Sequence, residues 1–250
     1  MNNTKQPRVV LLHGVGLDHS MWQPLQQLLG RESVALDLPG HGAQPVLREK
    51  QNLASLAADV LSRIPVTEPV HLVGFSLGAL IAQHIARFAP DRVRTLVAVN
   101  SVCRRTRSES AAVEQRLATA GTDFAEGVDR AIERWYPPAE TRVPGEVIEA
   151  TRRVLLANDL ESYLHAYAVF ARGDREIAGE LAAIGQPTLA ITGELDPGST
   201  PQMSHRLGEV VPNCQVRIVP GARHMLPVEN AAALAAELNR FFSDNEGKSS

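Results

Sequence analysis

Gly74-Phe75-Ser76-Leu77-Gly78 decides the reading of this chain. Ahead of it, Val70-His71-Leu72-Val73 is apolar enough for a buried strand. Behind it, residues 80–88 have the composition of a helix. A serine between a strand and a helix sits on a sharp turn. Its backbone is strained and its hydroxyl stands exposed above the sheet. The flanking glycines follow from crowding, because side chains there would collide with the adjoining strand and helix. Ala79 is small for the same reason. The pattern alone is weak: at ordinary Gly and Ser usage of roughly 7% each, about one chain in ten of this length contains it by chance. Its strand–turn–helix setting makes Ser76 a nucleophile candidate.

Working outward, residues 8–12 are an apolar run that stops at His13-Gly14, a strand entering a tight loop. Residues 22–29 read as a helix stopped at Gly30. Residues 33–37 read as a strand closed by Leu38-Pro39-Gly40-His41-Gly42. Residues 53–64 form an amphipathic helix ended by Pro65. Further on come strands at 93–100, 188–192 and 214–219, a helix at 201–210 opened by proline, and a closing helix at 228–242. Residues 243–250 are expected to fray. Strands alternating with helices predict an α/β fold, a doubly wound, mostly parallel sheet with helices on both faces. Only 12 residues precede His13. We therefore expect about six strands, with no antiparallel hairpin before the first.

Residues 102–184 break this rhythm. They hold no convincing strand, and helices are expected near 108–120, 124–135, 145–157, 160–172 and 176–183. The predicted organisation is a core from residues 1–101 and 185–250, with 102–184 inserted between two strands. Such an insertion reads as a helical cap over the C-terminal strand ends, where open α/β sheets bind ligands.

Composition narrows the classes. The chain has 250 residues, 44% hydrophobic and 21% charged, enough for one large domain with a sizeable core. A formal net charge of −3 gives no sign of a nucleic-acid partner or an anionic membrane. No apolar run reaches a membrane span, and the polar start, residues 1–7, lacks the apolar centre of a signal peptide. Cys103 and Cys214 give neither a disulfide framework nor metal spacing. A cytoplasmic protein acting on a small molecule is expected, with no metal and no cofactor. The oligomeric state is left open.

A serine hydroxyl becomes a useful nucleophile only when a base takes its proton, and the base is usually a histidine oriented by a carboxylate. The sequence offers both on loops after late strands. Residues 188–192 lead into Gly193-Glu194-Leu195-Asp196-Pro197, and residues 214–219 lead into Pro220-Gly221-Ala222-Arg223-His224. Among the eight histidines, only His224 follows a late strand in this way. Glu194 rivals Asp196 on the same loop. The order Ser76, Asp196, His224 is the nucleophile–acid–base order of the α/β-hydrolases.

Together with His13-Gly14, the segment Asp37 to Gly42 and the glycine-bearing acid and histidine loops, this order makes the whole chain resemble that superfamily. The resemblance favours Asp196 over Glu194. It implies an oxyanion hole from the backbone N–H groups of Leu77 and Val15, with His13 and His41 bracing loops. It also implies acyl transfer rather than the alkyl-ester chemistry of an aspartate nucleophile. The segments Gly14 to Trp22 and Glu126 to Tyr136 resemble the branch containing 3-oxoadipate enol-lactonases. That likeness assigns substrate binding to Trp22, Arg134 and Trp135, with the Arg134 guanidinium suited to a carboxylate. A plain His-Gly at the first loop is a departure from that branch. Arg104, Arg105 and Arg107 read as a solvated run.

The expected activity is hydrolysis of a small carboxylic ester or lactone, with or without a carboxylate, through an acyl-enzyme. The enzymatic alternative is hydrolysis of a C–C bond in a vinylogous diketone from aromatic breakdown. The non-enzymatic one is a ligand receptor on the same scaffold. Ester turnover separates the first from the second, and multiple turnover of any kind separates both from the third.

Overall fold

The computed structural model describes residues 8–64 and 67–246. Its strands are β1 (Val9–Leu12), β2 (Ser33–Leu36), β3 (Val70–Phe75), β4 (Val93–Val99), β5 (Thr188–Gly193) and β6 (Cys214–Val219). They form one parallel sheet in the order β2-β1-β3-β4-β5-β6. The helices are α1 (Gln23–Gln26), α2 (Leu53–Arg63), α3 (Leu77–Phe88), α4 (Arg107–Thr119), α5 (Phe124–Trp135), α6 (Gly145–Leu156), α7 (Leu160–Ile177), α8 (Pro201–Val210), α9 (Leu226–Glu229) and α10 (Ala231–Glu246).

The inner strands are buried at consecutive positions because both sheet faces are covered, whereas edge strand β6 alternates with exposed Gln215 and Arg217. Val10, Leu12, Leu72, Leu96 and Ala190 face one way, onto Leu56 and Val60 of α2, Ile81 and Ile85 of α3, and Leu207 of α8. Val9, Leu11, Val73, Val97 and Leu189 face the other way, onto Leu25 of α1 and Leu234, Leu238 and Phe242 of α10. Strand order reverses between β1 and β3. In a doubly wound sheet, the crevice beyond the strand ends at such a reversal is where ligands bind. The loops after β1 and β3 carry His13-Gly14-Val15 and Ser76.

Three helical expectations are corrected. The helix expected at 22–29 is a 3₁₀ turn, His19–Trp22, running into α1; the Asp18 side chain caps its start by accepting from Ser20 N–H. Residues 160–177 form one helix, where separate helices were expected at 160–172 and 176–183. Gly173 is buried within it, beside Leu80 and Leu53. The closing helix is two, α9 and α10, parted at Asn230. Residues 243–246 remain helical because Phe241, Phe242 and Asn245 are buried and Arg31 pairs with Glu246. Residues 1–7, Pro65 and residues 247–250, on which the expectations of a polar start, a helix stop and a frayed end rested, lie outside the described residues.

Helices α4 to α7 lie between β4 and β5 in the chain and are strapped to the sheet-bearing part. The Ser162 hydroxyl donates to Gly40 O at 3.0 Å and accepts from Leu47 N–H at 3.0 Å. Arg206 of α8 pairs with Glu109 of α4 at 2.7 Å. Arg105 is no solvated residue: its guanidinium is buried against Asp174 at 2.8 Å and donates to the carbonyls of Phe170 and Ala171.

Candidate active site

Ser76 stands between β3 and α3 with φ 53° and ψ −111°, outside the regions that ordinary residues occupy. Its N–H is held by Val99 O at 3.0 Å. A Cβ on Gly74 would strike the backbone of Gly78 and Ala79, and one on Gly78 the carbonyls of Leu12 and His13. The elbow is therefore wedged between its own helix and β1. Gly78 N–H donates to His13 O at 3.1 Å and locks that approach.

Asp196 is buried after β5 and uses both carboxylate oxygens. Oδ1 accepts from Gly198 N–H at 2.8 Å and Ser199 N–H at 2.9 Å. Oδ2 accepts from His224 Nδ1–H at 2.7 Å and Asn100 Nδ2–H at 2.7 Å. Burial alone would raise its pKa, but His224 and these hydrogen bonds together hold it below the ordinary carboxylate value. The rival Glu194 is exposed and accepts from Gly221 N–H at 2.9 Å, bracing the turn before His224.

The His224 ring lies between Phe75, centroids 5.0 Å apart, and Trp135, stacked at 5.5 Å. With Nδ1–H engaged by Asp196, Nε2 is left as the proton acceptor. Ser76 and His224 line one cavity of about 160 Å³ together with Val15 and Asp196. Among the described residues the Ser76 hydroxyl has no hydrogen-bond partner. Such contacts are often long without substrate and tighten when it binds.

The loop after β1 is fixed from both sides. Gly16 N–H donates to His41 Nε2 at 2.9 Å, and Gly16 O accepts from Asn158 Nδ2–H at 2.7 Å. His13 donates through Nδ1–H to Gly14 O at 2.7 Å and accepts from Leu38 N–H through Nε2 at 2.8 Å. Within this frame the N–H groups of Val15 and Leu77 make no hydrogen bond to any described residue. Two free amides beside a serine, at the start of α3, can stabilise negative charge developing on an attacked carbonyl.

Arg134 and Trp135 both line the cavity. Trp22 does not. It is fully buried, edge-on to Phe75 at 6.4 Å, in the core beneath the site, so its assignment to substrate binding is corrected to packing. Asn100 and Asn158 were missed. A positive φ of 46° at the end of β4 turns the Asn100 amide onto Asp196. Among the described residues no group of three or more His, Cys, Asp or Glu could hold a metal ion.

The chain is 29% identical over 225 residues to the (E)-2-((N-methylformamido)methylene)succinate hydrolase of Acinetobacter baylyi, covering 87% of this chain and 83% of that one. It is 30% identical over 228 residues to a pimeloyl-(acyl-carrier protein) methyl ester esterase of Chromobacterium violaceum, covering 87% of each. The solved enol-lactonase of Burkholderia xenovorans shares the fold, with a TM-score of 0.86 at 23% identity over 97% of this chain and 94% of that one. A model of the alpha/beta hydrolase family matches residues 9–237, a span that runs from β1 into α10 and includes Ser76, Asp196 and His224. The chain belongs to the alpha/beta hydrolase family.

Proposed function

We propose that this protein is a serine hydrolase that cleaves a small carboxylic ester or lactone bearing a carboxylate. One observation carries the reading. In a single cavity, a serine held in strained geometry meets a histidine whose far nitrogen is tied to a buried carboxylate at 2.7 Å, beside two amides with no other partner. Bound substrate presents its carbonyl carbon to Ser76 Oγ. As Oγ attacks, His224 Nε2 takes its proton, and Asp196 stabilises the imidazolium without accepting the proton. The carbonyl oxygen, now negative, receives hydrogen bonds from Val15 and Leu77 N–H. The tetrahedral intermediate collapses, His224 returns the proton to the leaving oxygen, and the acyl group remains on Ser76. Water, deprotonated by His224, repeats the sequence and releases the acid.

Helices α4 to α7 act as a cap, and two of their residues set what reaches Ser76. Trp135 covers His224, and Arg134 offers its guanidinium to a substrate carboxylate. Both cysteines are free thiols, the state a reducing compartment maintains, and we place the enzyme in the cytoplasm.

The test is labelling by a fluorophosphonate together with turnover of p-nitrophenyl acetate. The expected result is one phosphonylated residue, Ser76, and loss of both signals in Ser76→Ala. Undiminished ester turnover in Ser76→Ala would overturn the mechanism.

A further inference from the structure

The cavity over Ser76 carries four guanidiniums, those of Arg105, Arg116, Arg130 and Arg134. Two have an acid beside them. Arg105 is buried against Asp174, and Arg130 pairs with Glu126 one turn away at 2.5 Å. The other two have none among the described residues. Arg134 donates only to the backbone carbonyl of Arg130 at 3.0 Å, and the Arg116 side chain makes no hydrogen bond or ion pair. Nearby acids on α4 are committed elsewhere: Glu114 holds Arg172 and Arg175, and Glu109 holds Arg206.

Arg116 comes from α4 and Arg134 from α5, yet they lie close enough to repel each other. Arg134 is an exposed residue; desolvation of its inner part and then the charge of Arg116 weaken its hold on its proton. Among the described residues, the only acid lining the cavity is Asp196, whose oxygens are taken by His224, Asn100 and two amides. Tyr163 and Tyr167 line the same cavity, and their hydroxyls make no hydrogen bond to any described residue. Burial raises the Tyr163 pKa, so that hydroxyl keeps its proton and is a donor.

A cavity wall with two unopposed cations and two unengaged hydroxyls is complementary to more negative charge than one carboxylate brings. We propose that Arg116 and Arg134 each take one carboxylate, so that the substrate is an ester or lactone whose acid part carries two carboxylates besides the scissile group. The proposal rests on the hydrolase reading of Ser76. A monocarboxylate leaves one guanidinium unopposed; a dicarboxylate neutralises both. Tyr163 and Tyr167 donate to the carboxylate oxygens left over.

The test compares kcat/KM for three p-nitrophenyl esters: the neutral butyrate, the monoanionic succinate hemiester and the dianionic tricarballylate monoester. Each added carboxylate is expected to raise kcat/KM by roughly 10- to 100-fold, the range of a hydrogen bond to a charged group. Arg116→Gln is expected to cut the ratio of dianionic to monoanionic ester by that factor, and Arg116→Lys to restore part of it. Ratios are taken within one variant, so loss of folded protein cancels. A dianionic ester no better than the monoanionic one, or an equal fall for all three esters in Arg116→Gln, overturns the proposal. Calorimetry of tricarballylate, succinate and butyrate binding to Ser76→Ala separates the two readings. Tightest binding by tricarballylate, lost in Arg116→Gln, supports the dianion site even if no ester is turned over, an outcome that would sink the hydrolase reading alone. Flat binding beside normal turnover of the neutral ester sinks the dianion site alone.

Discussion

His13 gives the loop after β1 a dependence on pH that can be worked out from its two hydrogen bonds. Its ring is fully buried, with Nδ1–H donating to Gly14 O and Nε2 accepting from Leu38 N–H. Protonating Nε2 would set one N–H against another with no water to intervene. Burial, and then the nearby His41, lower its pKa from 6.5 to about 3. Below pH 6.5 the unfolded chain therefore binds a proton at His13 that the folded chain refuses, and stability falls as pH falls until the folded pKa is reached. At about 1.4 kcal/mol per pH unit, moving from pH 7 to pH 5 removes about 2 kcal/mol through His13. His71, buried and stacked on Phe242, is lowered to about 4 and removes a similar amount over the same range. Urea unfolding at pH 7, 6 and 5 is the assay. The wild type is expected to lose about 2 kcal/mol more across this range than His13→Gln, which does not titrate there; His71, His41 and His84, also lowered by burial, add the same loss to both. Parallel curves for wild type and variant would mean that folded His13 accepts a proton freely, and the account of the loop would fall.

Two further outcomes follow from the packing. Gly78→Ala places a methyl against the carbonyls of Leu12 and His13, which cannot yield without moving β1; a loss of about 1–3 kcal/mol in thermal or urea unfolding is expected, with ester turnover falling at least about tenfold. Asp174→Asn leaves the Arg105 guanidinium buried without its counter-charge, at an expected cost of about 3–5 kcal/mol in urea unfolding, most of it recovered when Arg105→Met is combined with Asp174→Leu.

How much of this was legible beforehand depended on whether local pattern or distant packing set each feature. The strands and the elbow were readable because the apolar runs are short and bounded by turn residues. Gly74 and Gly78 betrayed the crowding they relieve. Asp196 and His224 were findable because each stands just beyond a strand end, where chain order and spacing carry information. Residues whose role is set by a partner far along the chain were not. Arg105 sits in a run that reads as solvated, and only the return of α7 brings Asp174 to it. Trp22 reads as a pocket aromatic, and only the packing of α1 beneath Phe75 shows it to be core.

The same distinction explains why reaction type and substrate are written so unequally. Reaction type rests on groups at strand ends, and the sheet holds those ends whatever the cap contains. Substrate choice, on the reading proposed above, rests on charges left over after pairing, and that remainder depends on helices α4 to α7 together. Helices α4 and α5 carry Arg107, Arg116, Arg130 and Arg134 among several acids, and nothing in their spacing distinguishes a paired arginine from an unpaired one. Only after Glu109 goes to Arg206, Glu114 to Arg172 and Arg175, and Glu126 to Arg130 are Arg107, Arg116 and Arg134 left without an acid among the described residues, and of these only Arg116 and Arg134 line the cavity. Changing one of those partners should therefore alter specificity without touching the cavity. If Arg116 holds a substrate carboxylate as proposed, an α4 carboxylate released from its partner on α7 or α8 becomes a rival counter-ion for it, and selectivity drifts by exchange of surface ion pairs while Ser76, Asp196 and His224 stay fixed.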